Sequence, residues 1–206
     1  MSDITLTDIQ FIDLMNEMRQ HAKRILDNPN IKPFAPSTPE LQEYANILEE
    51  QYENINITEN KEIDGIVNEL KDSVKSGANS ITKVSKTSVT DSTQKYQNAI
   101  ISDPDNADQD WIDNMNKSRQ RTKDENNRQI DSSYDKAIKF GLQYPEARAA
   151  IQSFMEKTST FFSNLFGRIS SFILEAARQL TEWLSKAWES IKSFFERISS
   201  WVSSAF

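Results

Sequence analysis

From Phe154 onward, apolar or small side chains return in steps that run mostly 4, 4, 3. Phe154, Phe162, Leu165, Ile169, Phe172, Leu180, Trp183, Ile191, Phe194, Ile198 and Trp201 lie on this row, with Thr158, Ala176, Ala187 and Ala205 between them. Eleven residues in three turns is about 3.67 per turn, wider than the roughly 3.5 of a left-handed coiled coil, so the stripe stays on one side of a nearly straight helix. Leu184, Trp188, Phe195 and Val202 widen it on one flank, and Phe161, Phe166 and Ile173 thicken its first half. The opposite face is Ser, Glu, Lys and Arg. Glu175, Glu182, Glu189 and Glu196 recur every seven residues, and Arg178 to Glu182 and Glu182 to Lys186 are i,i+4 pairs that support a helix in water. Gly167 is the expected bend or hinge.

If straight, a helix from Pro145 to Phe206 would be about 90 Å long. A compact domain of this size is about 35 to 40 Å across, so the segment must bend, protrude or join an assembly. An exposed apolar stripe of that length exceeds the few hundred Å² tolerated on a monomer, so the protein's own helices, other copies or lipid must cover it.

Composition divides at the same place. Residues 154–206 hold eight of the eleven Phe, ending on Phe206, and three of the four Trp. Residues 151–206 carry six Lys or Arg and five Glu, which leaves 18 basic against 26 acidic side chains for residues 1–150. We therefore read an acidic helical bundle or hairpin region over 1–144 and an amphipathic helical segment over 145–206.

The first region is also helical by periodicity. Phe11, Leu14, Met15, Met18, Ala22 and Ile25 define one face of a helix opening near Thr7. The three prolines of residues 28–37 mark a linker, and Thr38 before Pro39 reads as N-cap and N1 of a second helix with Leu41, Tyr44, Ala45 and Leu48 on one side. A long helix is expected from Thr58 to about Ile101, and Asp103 before Pro104 restarts another. If the two fold back there, the Ser- and Thr-rich residues 79–92 lie beside residues 116–129, which contain no large apolar side chain. Gly141 followed by Pro145 marks the next break. No useful strand-like alternation occurs. The expected fold is all-α, an elongated helical bundle or long helical hairpin with a C-terminal amphipathic Phe/Trp-rich helix.

Several functional classes lose their chemistry here. The absence of Cys removes disulfide scaffolds, Cys-ligated metals and thiol nucleophiles. His21 is the only histidine and accompanies no nucleophile motif such as G-x-S-x-G, so no catalytic residue and no metal ligand is assigned. Four glycines leave no phosphate-binding loop. A net charge of −7 disfavours nucleic acid, and the basic run Lys117, Arg119, Arg121, Lys123 and Arg128 is diluted by Asp124 and Glu125 and reads as solvated surface. No cofactor, small-molecule substrate or nucleic-acid partner is expected. Met1 to Gln20 is acidic and amphipathic, without the apolar run of a signal peptide, which suggests a soluble form.

Residues 154–206 resemble, in periodicity and composition only, the amphipathic segments of exchangeable apolipoproteins and of α-helical pore-forming toxins. That resemblance assigns no residue roles. The Phe/Trp stripe at about 3.67 spacing on an otherwise acidic, polar chain leads us to expect a non-enzymatic protein that engages a lipid membrane through its C-terminal stripe, as an oligomeric pore or lytic assembly. Three features favour lipid: Phe and Trp in place of the Leu, Ile and Val of helix seams, strong amphipathicity at moderate hydrophobicity, and polar hairpin segments that offer the stripe little cover. The alternative is a structural or adaptor protein whose last helix is buried in an obligate helical oligomer or a partner complex.

Overall fold

The computed structural model describes residues 6–55 and 60–205, and the side chains of all of these except 6, 54, 55 and 180–185. It is an all-α protein, with no strand among the described residues. The helices are α1 (Leu6–Asp27), α2 (Pro39–Ile55), α3 (Lys61–Ser102), α4 (Pro104–Gln143), α5 (Arg148–Arg178) and α6 (Leu180–Ser204), with a 3-10 turn at Pro145–Ala147. They form two compact units, Met1–Val74 with Gln129–Ser163, and Lys75–Arg128 with Asn164–Phe206. Both units therefore draw on residues before and after 145.

Helix boundaries follow local chemistry. The Thr38 hydroxyl accepts the Leu41 N–H at 3.2 Å, capping α2 as the Thr-Pro pair predicts. The Asn60 side chain takes the same part for α3, accepting the Glu62 N–H at 3.1 Å; Thr58, the expected start, lies outside the described residues. At the α3–α4 turn the Asn106 amide donates to both Asp103 carboxylate oxygens at 3.1 Å, just ahead of Pro104 and the orphan N–H groups of the first turn.

In the first unit, Phe11, Leu14, Met15 and Met18 of α1 are buried, as are Leu70 of α3, Ile130 and Tyr134 of α4, and Ile151 and Met155 of α5. Arg148, itself buried, donates from Nε to the Gly141 carbonyl at 2.7 Å, pairs with Asp8, and lies 5.3 Å from the Phe11 ring centre. Gly141 is not the helix terminator its position suggests. It sits inside α4, where a Cβ would come within 2.8 Å of three atoms of the Phe11 ring, so the missing side chain is what lets α1 approach. Arg19 to Asp135 at 2.6 Å and Lys23 to Asp131 at 2.6 Å tie α1 to α4 at the surface, a small contribution.

In the second unit α3 and α4 run antiparallel with a polar seam. Ser85 meets Thr122 at 2.9 Å and Ser88 donates to Ser118 at 2.8 Å, so residues 79–92 do face 116–129. These side chains are buried, and Ser85, Ser92, Ser118 and Thr122 also donate to the carbonyl four residues earlier at 2.7 to 3.0 Å. A stretch without large apolar residues thus still forms an interior, because small hydroxyls allow close approach and each has an acceptor. Near the turn, Tyr96 donates to Asp108 at 2.8 Å; burial, then that bond and the carboxylate's charge, push its hydroxyl pKa up to about 12.

Candidate membrane or partner interface

The C-terminal stripe is divided between the units. Phe154 and Phe162 lie in the first unit and are buried there. The remaining positions belong to the second unit, where α5 and α6 pack beside the α3–α4 hairpin.

On α5, Leu165, Ile169, Ile173 and Ala176 form the buried row, so beyond Ile169 the row passes through Ile173 and leaves Phe172 partly exposed. Polar contacts from α4 fix the register. The Arg119 Nε donates to the Ser170 hydroxyl at 2.6 Å, with its guanidinium 5.9 Å from the Phe166 ring, and the Trp111 indole N–H donates to the Ala176 carbonyl at 3.3 Å. That carbonyl is one of the last four of α5, which have no partner within the helix, so Trp111 acts as its C-terminal cap. Arg119, grouped by sequence with a solvated basic run, is therefore partly engaged in the unit. No sequence signal marks Trp111 or Arg119 for these contacts.

The sequence expectation placed the bend at Gly167, and the structure places it elsewhere. α5 continues unbroken through Gly167, which is exposed with nothing within 4 Å of a notional Cβ. A single glycine costs only about 1 kcal/mol in a helix, too little to break one held by neighbours on both sides in sequence. The break falls at Gln179, whose backbone (φ −104°, ψ 41°) leaves the helical region and whose side chain does not cap α6.

α6 then runs back antiparallel to α5. Phe172 stacks on Phe194 with ring centres 3.9 Å apart and planes 4° apart, and further along the Arg168 guanidinium lies 4.8 Å from the Trp201 ring centre. Phe195 meets Phe172 and Phe194 edge-on at 5.9 and 5.1 Å. The buried row of α6 is Ala187, Ile191, Phe195, Ile198 and Val202. Phe194 and Trp201, expected at its centre, are partly exposed rim residues, and Trp188 is 43% exposed. Leu180, Trp183 and Leu184 have side chains outside the described set, as does Phe206.

The expectation that the chain lacks apolar cover for the stripe fails in this unit. Ala78, Ile81 and Val89 of α3 and Trp111 and Met115 of α4 are buried with it. Burying the four large side chains of the α6 row contributes about 6 to 12 kcal/mol before the entropy of ordering the helix is set against it. Lys186, Glu189, Lys192, Glu196 and Arg197 occupy its exposed face. Among the described residues, no helix is long and apolar enough to cross a membrane, and no three His, Asp or Glu side chains group as a metal site. Comparisons of the chain with protein-family models, with curated proteins and with solved structures find no match.

Proposed function

We propose that this is a non-enzymatic, membrane-active α-helical protein whose bundle is a water-soluble storage form and whose α6 is the lipid-engaging element. On release, α6 lies in the membrane interface with Ile191, Phe195, Ile198 and Val202 in the acyl boundary and Trp188 and Trp201 at headgroup level. Several copies then associate into a pore or lytic assembly. The observation that carries this reading is α6 itself. It is a one-faced Phe/Trp helix held to the unit mainly by apolar contact, joined to α5 at an uncapped break, with Trp188 already exposed. Lipid offers the same row an equivalent apolar environment, so the exchange is close to neutral and a modest trigger suffices.

The test is tryptophan emission, flotation and dye release with neutral and anionic vesicles. Three of the four Trp lie in α6, so its transfer dominates the signal. A blue shift, co-flotation and leakage are expected, and a Phe194→Glu plus Trp201→Glu variant, altered only at the rim, should stay folded and lose all three. Absence of any response to either vesicle type removes the reading.

A second reading, a structural or adaptor protein, is favoured by the covered inner row of α6, which needs no lipid. The partly exposed Phe172, Phe194 and Trp201 rim would then meet a partner or another copy. It expects emission already blue-shifted in buffer, an assembly present without lipid, and no change on adding vesicles.

A further inference from the structure

The first unit contains a cavity of about 340 Å³ formed by α1, the proline-rich strap, α4 and α5. Its apolar wall is Met18, Ile25, Pro33 and Phe34, and its polar side is His21, Glu156, Ser159 and Thr160, with Tyr134 also in the lining. That volume lies at the small end of ordinary ligand pockets, with the usual mix of apolar lining and a few convergent polar groups.

The polar groups are unusual for this protein. Neighbouring Thr158 donates to the carbonyl four residues back, at 3.0 Å, as the seam hydroxyls do. Ser159 does not: its buried Oγ has no hydrogen-bond partner, and the Met155 carbonyl that would serve it is the one approached by the Tyr134 hydroxyl at 3.5 Å. His21 is buried, its ring edge-on to Phe34 at 5.6 Å, and it makes no hydrogen bond among the described residues. Burial, and secondarily the charge of Arg24, hold its pKa below the usual 6.5, so it is neutral at pH 7.5. Among the described residues, Glu156, which accepts the Gln152 amide at 3.3 Å, is the one carboxylate lining the cavity, and no Lys or Arg lines it.

We propose that this cavity binds a small primary amine with an apolar or aromatic body, its ammonium held by Glu156 and His21 and by Ser159 once its hydroxyl turns into the cavity. An ammonium carries three donors and no acceptor. The lining supplies acceptors for these donors: the Glu156 carboxylate, the unprotonated nitrogen of a neutral imidazole, and the Ser159 and Thr160 hydroxyls. Phe34 and the Met18–Ile25 wall take the body of the ligand. An anionic ligand would be repelled by Glu156, and a purely apolar one would leave the Ser159 hydroxyl unsatisfied.

The probe is 2-phenylethylammonium, with 2-phenylethanol as its neutral counterpart, titrated into the full-length protein at pH 7.5. His21 is the only histidine, so its Cε1 proton resonance reports the cavity alone. The amine should shift that resonance saturably and bind at least roughly tenfold more tightly than the alcohol, the expected return of a charge-assisted hydrogen bond. Glu156 is surface-exposed, so Glu156→Gln should fold normally and abolish the preference while leaving alcohol binding unchanged. Ser159→Ala should weaken the amine several-fold. No saturable shift with the wild-type protein, equal affinity for amine and alcohol, or a preference that survives Glu156→Gln each overturns the proposal.

Discussion

Two glycines inside two helices should respond to the same substitution with opposite signs. Gly141→Ala places a methyl group within 2.8 Å of three atoms of the fully buried Phe11 ring. That ring cannot retreat freely, because the Arg148 guanidinium lies 5.3 Å from its centre and Arg148 is anchored on the Gly141 carbonyl at 2.7 Å. Overpacking of this kind costs about 1 to 3 kcal/mol or more, and the helix-propensity gain of Ala over Gly returns about 1, so the net is a loss of about 0 to 2 kcal/mol, with the tight geometry arguing for the upper end. Gly167→Ala meets nothing within 4 Å and should gain about 0.5 to 1 kcal/mol. For a chain of 206 residues each kcal/mol moves Tm by about 2 to 4 °C, so the two variants, about 0.5 to 3 kcal/mol apart, should separate by about 1 to 12 °C. Differential scanning calorimetry with urea titration at fixed protein concentration reads both. A Gly141→Ala protein more stable than the wild type, showing the helix-propensity gain with no steric cost set against it, refutes the close approach of α1 to α4. A destabilised Gly167→Ala protein refutes the open, unbent helix at that position. Because the chain turns at Gln179, Gly167→Ala should also leave vesicle leakage unchanged under the proposed function.

Phe195→Ala removes a side chain 2% exposed and should cost about 3 to 5 kcal/mol in urea unfolding, whereas Trp188→Ala, at a 43% exposed site, should stay within about 0.5. Ser118→Ala takes away the acceptor of Ser88 and should cost about 1 to 3 kcal/mol, and Ser88→Ala with Ser118→Ala should cost less than the sum of the two singles in a double-mutant cycle. His21 has a lowered folded-state pKa, so its neutral form is the one the fold favours: stability is full above the unfolded value of 6.5 and is lost as pH falls through the folded pKa. Burial, and secondarily Arg24, disfavour the charged ring; Glu156 is the carboxylate that lines the same cavity, and Tyr134 and Phe34 bring no charge at this pH. His21→Gln should flatten that slope in urea melts between pH 5 and pH 7.

The helical composition, the Thr38 cap, the turn at Pro104 and the facing of residues 79–92 with 116–129 were legible, because each rests on local chemistry or on a period longer than its own noise. The buried row of α6 was legible only to within one column. Phe194 and Phe195 are adjacent and equally apolar, as are Trp201 and Val202, so periodicity alone cannot say which of each pair faces inward; the position of α5 decides it. The break at Gln179 carries neither Gly nor Pro, since Ala176, Ala177, Arg178 and Gln179 all favour helix, and it exists because tertiary contacts turn α6 back. Gly141 was visible as a glycine, but its role depends on Phe11, 130 residues earlier. The cavity around His21 was out of reach for the same reason, since it needs four chain segments at once.

The hydroxyl seam between α3 and α4 has a consequence for where these helices can exist. Ser85, Ser92, Ser118 and Thr122 each keep a bond to a carbonyl of their own helix, so separating the pair strands none of their protons. A Leu or Phe seam is tied to water as its driving solvent and loses its grip when the surroundings turn oily. A seam in which these four hydroxyls carry their own acceptors is less bound to one medium: of the seam hydroxyls named above, Ser88, whose proton goes across to Ser118 at 2.8 Å, is the one that must find a new partner when the hairpin exchanges one neighbour for another.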